Sequence, residues 1–363
     1  MNKETLSATE IIQLPLFFII GRPRTGTTLL RSLMDAHKNV IIPLEGPFML
    51  KLYGKYHEVT LWTKEVINEF YDDLMIKNDM GFITMENWKV DKERLKNDLL
   101  SCVGENSFAN ICKVINGNFP CPKEKDPLIL GDKNPVYSNK LKYILKLYPQ
   151  AKFIILSRDY RDHIQSMHKV DFGQIIAPVL AYRWRKFIRE SRKYMANHPN
   201  NFFYLRYEDL AMNPQKHLKE LTDFLGIAYD ESMLEFYKAK NARQERGHTE
   251  TQEKYHQSLH NPISTKSIGN WKSKLKDIDV QMADAMVGPY AERAGYERKY
   301  KSTAFGLRLK LFPVFIYMWI TEGIADVLAK KFNPQTASGI AARGPVLLMK
   351  YWNIVHKEET IRK

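Results

Sequence analysis

Leu14–Thr28 reads LPLFFIIGRPRTGTT: an apolar run, a glycine-bracketed turn and the opening of a helix. Leu16–Ile20 is short, continuous and rich in β-formers, the pattern of a strand buried in a parallel sheet. Gly21 and Gly26 permit a tight turn and a close backbone approach. Thr27 and Thr28 then start a helix whose unbonded N–H groups point back into the turn, where an anion is the expected occupant.

The spacing is G-x-x-x-x-G, as in a nucleotide-binding P-loop, with one substitution. Where that motif continues with lysine this chain has Thr27, and Arg24 lies inside the loop instead. The cradle is built for a phosphate but lacks the lysine that grips β- and γ-phosphates. A kinase or NTPase, which needs that lysine, is the rival reading; a non-catalytic membrane-binding protein is another.

The 363 residues, 44% of them apolar, suffice for one large domain or a domain with an appendage. Mean hydropathy of −0.41 describes a soluble body. The net charge of +14 indicates an anionic partner or a generally basic surface. Nucleic acid is not expected, since no zinc-finger, RRM or arginine-rich signature appears. Cys102, Cys112 and Cys121 form neither a disulfide framework nor a CxxC pair, which suits a reducing, cytoplasmic setting. The opening MNKETLSATE has no apolar signal core, so neither secretion nor an N-terminal anchor is expected.

Two further runs, Lys152–Ser157 and Asn201–Leu205, read as strands, each preceded by a helical stretch: Ser138–Leu147 and about 176–195. Strands alternating with helices predict an α/β fold, a central parallel sheet flanked by helices. Ligands bind at the carboxyl ends of such strands, which gathers 21–28, 158–162 and 206–209 on one edge. Residues from about 48 to 125 read as a helical insertion without clear strands, in a position suited to a cap. The main domain is expected over residues 1–300, and 301–363 reads as a basic, apolar helical extension. Its apolar run LFPVFIYMWI is only roughly ten residues, too short to span a bilayer, and Pro313 interrupts it. A packed helix and an interfacial membrane helix both fit.

Several side chains are candidates for chemistry. Arg158 follows the strand KFIILS and Ser166 lies about two turns into the next helix; a guanidinium fork and a hydroxyl suit a phosphate. Lys133 sits in GDKNP, read as a turn. Glu45 follows the apolar run Val40–Ile42, a candidate strand, and is a candidate general base. In Tyr207-Glu208-Asp209, Asp209 either imitates a Mg²⁺-holding acid or caps a helix. The histidines show no H-x-x-x-H or H-E-x-x-H spacing, and no metal site is expected. No G-x-S-x-G elbow is present.

GRPRTGTTLLRSLMDAH, KFIILSRDYRDHIQSM, RYEDLAMNP with LKELTDFLGI, and GNWKSKL follow one another in an order that resembles the sulfotransferases using 3'-phosphoadenosine 5'-phosphosulfate (PAPS). The pattern is most similar to the tyrosylprotein sulfotransferases and their bacterial relatives, from Leu16 to about Leu275. The resemblance implies that Arg24, Thr25, Gly26, Thr27 and Thr28 bind the 5'-phosphosulfate. It assigns Arg158 and Ser166 to the 3'-phosphate, Tyr207 to the adenosine and Lys133 to the transferring group. Aligned without gaps through LLRSLMDAH, the glutamate base of the tyrosylprotein branch falls on Glu45. The missing Walker lysine then has a reason, because the donor carries one 5'-phosphate bearing a sulfuryl group and no triphosphate–Mg²⁺.

The expected reaction is in-line sulfuryl transfer to a hydroxyl, leaving 3'-phosphoadenosine 5'-phosphate (PAP). Glu45 acts as base, and Arg24 and Lys133 stabilise developing charge. The aromatics Tyr53, Tyr56, Trp62, Phe70, Tyr71, Phe82 and Trp88 suggest an apolar lid or an ordinary core. Together with the apolar tail they point to a hydrophobic alcohol or phenol, such as a sterol or other lipid, with a tyrosyl peptide or glycan as the alternative. Peripheral membrane contact through the tail is part of the same expectation.

Overall fold

Leu16–Ile20 forms strand β1 with all five residues buried, and both of its neighbours in the sheet are parallel to it. The computed structural model describes residues 6–46, 48–76, 88–122, 125–170, 176–238 and 257–331. Helix α1 (Ala8–Gln13) precedes β1, and α2 (Thr27–Ala36) and β2 (Val40–Ile41) follow it. The insertion carries α3 (Phe48–Tyr56), β3 (Leu61–Trp62), α4 (Lys64–Met75), α5 (Lys92–Leu100), β4 (Gly104–Glu105) and α6 (Phe108–Gly117). Then come β5 (Ile129–Lys133), α7 (Leu141–Leu147), β6 (Lys152–Ser157), α8 (Tyr160–Met167) and α9 (Ala177–Asn197). The rest comprises β7 (Phe202–Arg206), α10 (Tyr207–Met212), α11 (Pro214–Leu225), α12 (Asp277–Val287) and α13 (Phe305–Lys331), with short helical turns between.

The chain divides into two units, Met1–Ser157 with Met195–Thr265, and Arg158–Tyr194 with Lys266–Lys363. The first holds a parallel sheet in the order β2-β5-β1-β6-β7. Successive β1 side chains point to opposite faces. Phe17 and Ile19 enter an aliphatic core with Leu30, Leu33 and Met34 of α2 and Leu218 and Leu221 of α11. On the other face Phe18 stacks on Phe153 at 5.4 Å between ring centroids, and Phe153 on Phe202 at 5.0 Å. Burying one such ring contributes roughly 1.5–3 kcal/mol, and each stacked pair about 0.5–1.5 more.

Three strands lie where the sequence places them, the third shifted by one residue to Phe202–Arg206. One expectation is overturned. Lys133 is not in a turn but is the last residue of β5, a buried strand paired with both β1 and β2. A central ILGDK strand escapes a search for apolar runs because it ends in two ionisable residues. The candidate strand Val40–Ile42 shortens to two residues, leaving Glu45 in the segment beyond it.

The insertion contains one small antiparallel pair, β3 with β4. Tyr53, Tyr56, Trp62, Phe70 and Trp88 are all buried. Tyr56, Trp62 and Phe70 pack on one another with centroids 5.0–5.9 Å apart, so these rings are the insertion's own interior, not a lid. Tyr71 is half-buried, and Phe82 lies outside the described residues.

In the second unit Trp184 of α9 lies between Tyr160 and Tyr296. The Tyr160 hydroxyl donates to the buried Asp284 carboxylate, which also accepts the Tyr300 N–H at 2.7 Å. α13 runs 27 residues with Pro313 inside it, so that proline does not end the helix. Among the described residues no helix is long and apolar enough to cross a membrane.

Candidate active site

The turn after β1 is held in a conformation most residues avoid. Arg24 has φ 67° and Gly26 φ 95°, both left-handed. Closely spaced left-handed residues turn successive N–H groups into one concavity, an anion nest. Left-handed backbone at a non-glycine residue costs about 1–3 kcal/mol and persists only when its surroundings fix it. Here the Arg22 carbonyl accepts both the Thr25 hydroxyl at 2.7 Å and the Thr25 N–H at 3.2 Å. Arg22 in turn donates to Asn139 at 2.9 Å. Thr25 is therefore a brace that closes the turn, with both its donors engaged inside the loop.

Gly26 is the residue before α2, and a Cβ there would lie 2.5 Å from the Tyr207 ring. The first N–H groups of α2, at Thr27 and Thr28, have no partner within the helix and face the turn. Tyr207 opens α10 directly after β7 and brings its ring against the loop. Asp209 neither caps α10 nor stands free for a metal: it pairs with Arg206 through contacts of 2.6 and 2.7 Å.

Three candidates from separate elements meet at the sheet's carboxyl edge. The Lys133 Nζ donates to the Glu45 carboxylate and to the Thr28 hydroxyl, the latter at 3.2 Å. The Lys133 side chain is 1% exposed and that of Glu45 36%. Burial, helped by the nearby Arg31 charge, pushes the Lys133 pKa below its ordinary value, while Glu45 opposes the shift. Arg31, one turn into α2, donates to the Pro43 carbonyl at 2.8 Å and the Ile42 carbonyl at 2.9 Å. The helix that faces the anion nest thus also anchors the segment leading to Glu45. Across that segment, the Trp88 ring occupies the place a side chain at residue 46 would need, 2.6 Å from a Cβ built on Gly46.

Behind Lys133, Asp132 points to the opposite face of β5. Its carboxyl accepts from Asn134 at 2.6 Å and Tyr137 at 3.1 Å, with the Asn116 amide at 3.5 Å. Desolvation pushes its pKa up to about 7 against these stabilising donors.

Arg158 and Ser166 belong to the second unit, and both are buried. Arg158 donates to the Ser267 carbonyl at 2.7 Å, and its own carbonyl accepts the Trp184 indole N–H at 2.9 Å. Asp159 caps α8 by accepting the Arg161 N–H. Asp162 has a role the sequence reading missed. Its carboxylate accepts the Gly269 N–H at 2.6 Å and the Trp271 N–H at 2.9 Å. The Arg161 guanidinium lies 4.0 Å from the Trp271 ring centroid. Segment 269–271, the start of GNWKSKL, is thereby clamped to the start of α8. The available signal was the four charges packed into RDYRD.

A parallel sheet flanked by helices, with a left-handed turn at its carboxyl edge and a lysine–glutamate pair beside it, defines an α/β fold. The family model described as "Sulfotransferase family" matches residues 15–231, and the chain belongs to that family. It is a PAPS-dependent sulfotransferase. The chain is 24% identical over 292 residues to "Protein-tyrosine sulfotransferase 1" of Danio rerio, covering 78% of this chain and 73% of that one. It is 26% identical over 297 residues to a "Putative protein-tyrosine sulfotransferase" of Caenorhabditis briggsae, covering 78% and 89%. Its fold matches the solved sulfotransferase domain from the curacin biosynthetic pathway with a TM-score of 0.51 and 21% identity, over 78% of this chain and 98% of that domain.

Proposed function

We propose that this sulfotransferase moves the sulfuryl group of PAPS onto the hydroxyl of a hydrophobic alcohol or phenol, with Glu45 as general base. The observation that supports it most directly is the contact of Lys133 with both Glu45 and Thr28. It sets a carboxylate, an ammonium and a helix N-terminus side by side, the three functions that in-line transfer from a phosphate to a hydroxyl needs. The left-handed turn after β1 is fixed from within, and the Tyr207 ring leaves no space for a side chain at residue 26.

PAPS supplies an activated sulfuryl group; the chain supplies position and charge. Glu45 accepts the acceptor's proton as the new O–S bond forms. The bond from sulfur to the 5'-phosphate oxygen breaks, and its electron pair stays on that phosphate. Lys133, Arg24 and the N–H groups of Thr27 and Thr28 stabilise the charge growing there. Gly26 gives the turn its shape and Thr25 closes it. Arg158 and Ser166 are assigned to the 3'-phosphate, and Tyr207 to the adenosine.

A tyrosyl peptide is the second reading, favoured by the protein-tyrosine sulfotransferases among the relatives and by the chain's net charge of +14. A cytoplasmic location is also proposed: Cys102 and Cys112 are buried free thiols, as suits a reducing compartment. The test is incubation of the full chain with sulfur-labelled PAPS and a panel of sterols, phenols, glycans and tyrosyl peptides. Label on an alcohol or simple phenol supports the first reading and label only on peptides the second. No labelled hydroxyl in any class would overturn both.

A further inference from the structure

We propose that the outward face of α13 is a docking surface for the headgroup layer of an anionic lipid bilayer. Seven of the thirteen large apolar side chains that stand exposed among the described residues lie on this one helix. Phe305, Leu309, Phe312, Trp319 and Val327 recur at steps of four, three, seven and eight residues, with Ile320 beside Trp319, which places them along one side of the helix. Phe312 is 62% exposed and Trp319 64%. Scattered apolar residues need no explanation, but a continuous stripe of this size marks a contact surface.

The inner side of α13 is already used. Leu311, Val314 and Met318 are buried. Glu322 faces the same way and pairs with Lys186 at 3.0 Å and Arg183 at 3.4 Å. The Glu322 carboxylate is thus turned inward and neutralised. Arg308 and Lys310, by contrast, are exposed at the two edges of the stripe's first turns. An apolar centre with cationic edges matches a helix lying in the plane of a membrane interface, its aromatics sunk below the headgroups and its basic groups among anionic lipids. The helix does not qualify as a span. A second copy of the chain would meet the same stripe with the same positive edges and the same net charge of +14, so charge favours the lipid.

This inference stands apart from the transfer chemistry, and its test leaves that chemistry intact. The full chain is sedimented with vesicles of phosphatidylcholine alone and of phosphatidylcholine mixed with phosphatidylglycerol, at low and high salt. Binding is expected to the mixed vesicles and to weaken with salt. The double variant Phe312→Glu, Trp319→Glu should lower the bound fraction on the order of tenfold or more. Arg308→Glu with Lys310→Glu should remove the preference for phosphatidylglycerol. PAP affinity and thermal unfolding, measured on each variant, should match the parent, showing that the fold is kept. Failure of the parent to bind either vesicle, or equal binding by the Phe312, Trp319 variant, would overturn the proposal. So would a parent dimer that the same variant turns into a monomer while vesicle binding is absent, which would assign the stripe to a second copy.

Discussion

The Lys133 ammonium is hydrogen-bonded to the Glu45 carboxylate, although one ends a central strand and the other lies in the segment after β2. The pairing gives a carboxylate and an ammonium one shared place beside the turn after β1. It also fixes the Glu45 side chain at the sheet edge, where an acceptor hydroxyl would need it.

Glu45→Gln keeps the side chain's size and its ability to accept from Lys133 but removes the base. Turnover is expected to fall on the order of 10²-fold or more, with PAP affinity nearly unchanged. Steady-state kinetics with PAP titration checks both halves, and near-parental turnover would exclude Glu45 as the base.

Gly26→Ala asks a side chain to adopt φ 95° and to overlap the Tyr207 ring. Stability is expected to drop by about 1–3 kcal/mol from the backbone alone, and PAP affinity to fall with the distorted nest. Adding Tyr207→Ala relieves the overlap but not the dihedral, so the double variant should recover only part of the loss. Chemical denaturation of the single and double variants measures the split.

Asp162→Ala removes the acceptor shared by the Gly269 and Trp271 N–H groups. A bond to a charged acceptor contributes about 1.5–3 kcal/mol, so these two amides should exchange hydrogen at least roughly tenfold faster. On the proposed assignment of Arg158 to the 3'-phosphate, PAP affinity should weaken as well, since Arg158 is tied to the same segment through Ser267. Unchanged exchange at both amides would show that the clamp is not needed.

Asp132 gives a pH signature. Its pKa is about 7 in the folded chain against an ordinary value of 3.8, so the folded state holds its proton more tightly than the unfolded one. Its contribution to stability is full at low pH and declines as pH rises from about 4 to about 7. Asp132→Asn cannot ionise and should flatten that slope, seen in urea unfolding across the same range. An unaltered slope would mean that the carboxyl is ionised in the fold.

The sheet was readable where the chemistry is local. β1, β6 and β7 are apolar runs that any neighbour would bury, and Gly21 and Gly26 mark the tight turn, although not the left-handed backbone at Arg24. β5 was not, because its last two residues are ionisable and tolerate burial only through partners the fold brings to them: Asn134, Tyr137 and Asn116 for Asp132, Glu45 and Thr28 for Lys133. Glu45 itself could be placed by resemblance, but its neighbours Arg31 and Trp88 could not, since their contacts are set by the fold. Asp162 was hidden for the same reason. Its partners lie beyond α9 and β7 in sequence, and an acid at a helix start already has an ordinary explanation.

The strand that leads into the nest pairs only with strands made much later in the chain: Leu16 lies opposite Leu130, and Ile20 opposite Ile155. During synthesis, therefore, the nest-forming segment emerges early yet has no sheet to join until β5 and β6 have left the ribosome. Closing that gap carries the entropy cost of a long loop. Until then LFFII is an exposed sticky strand, and a chain cut short before Ile129 should aggregate instead of binding any nucleotide.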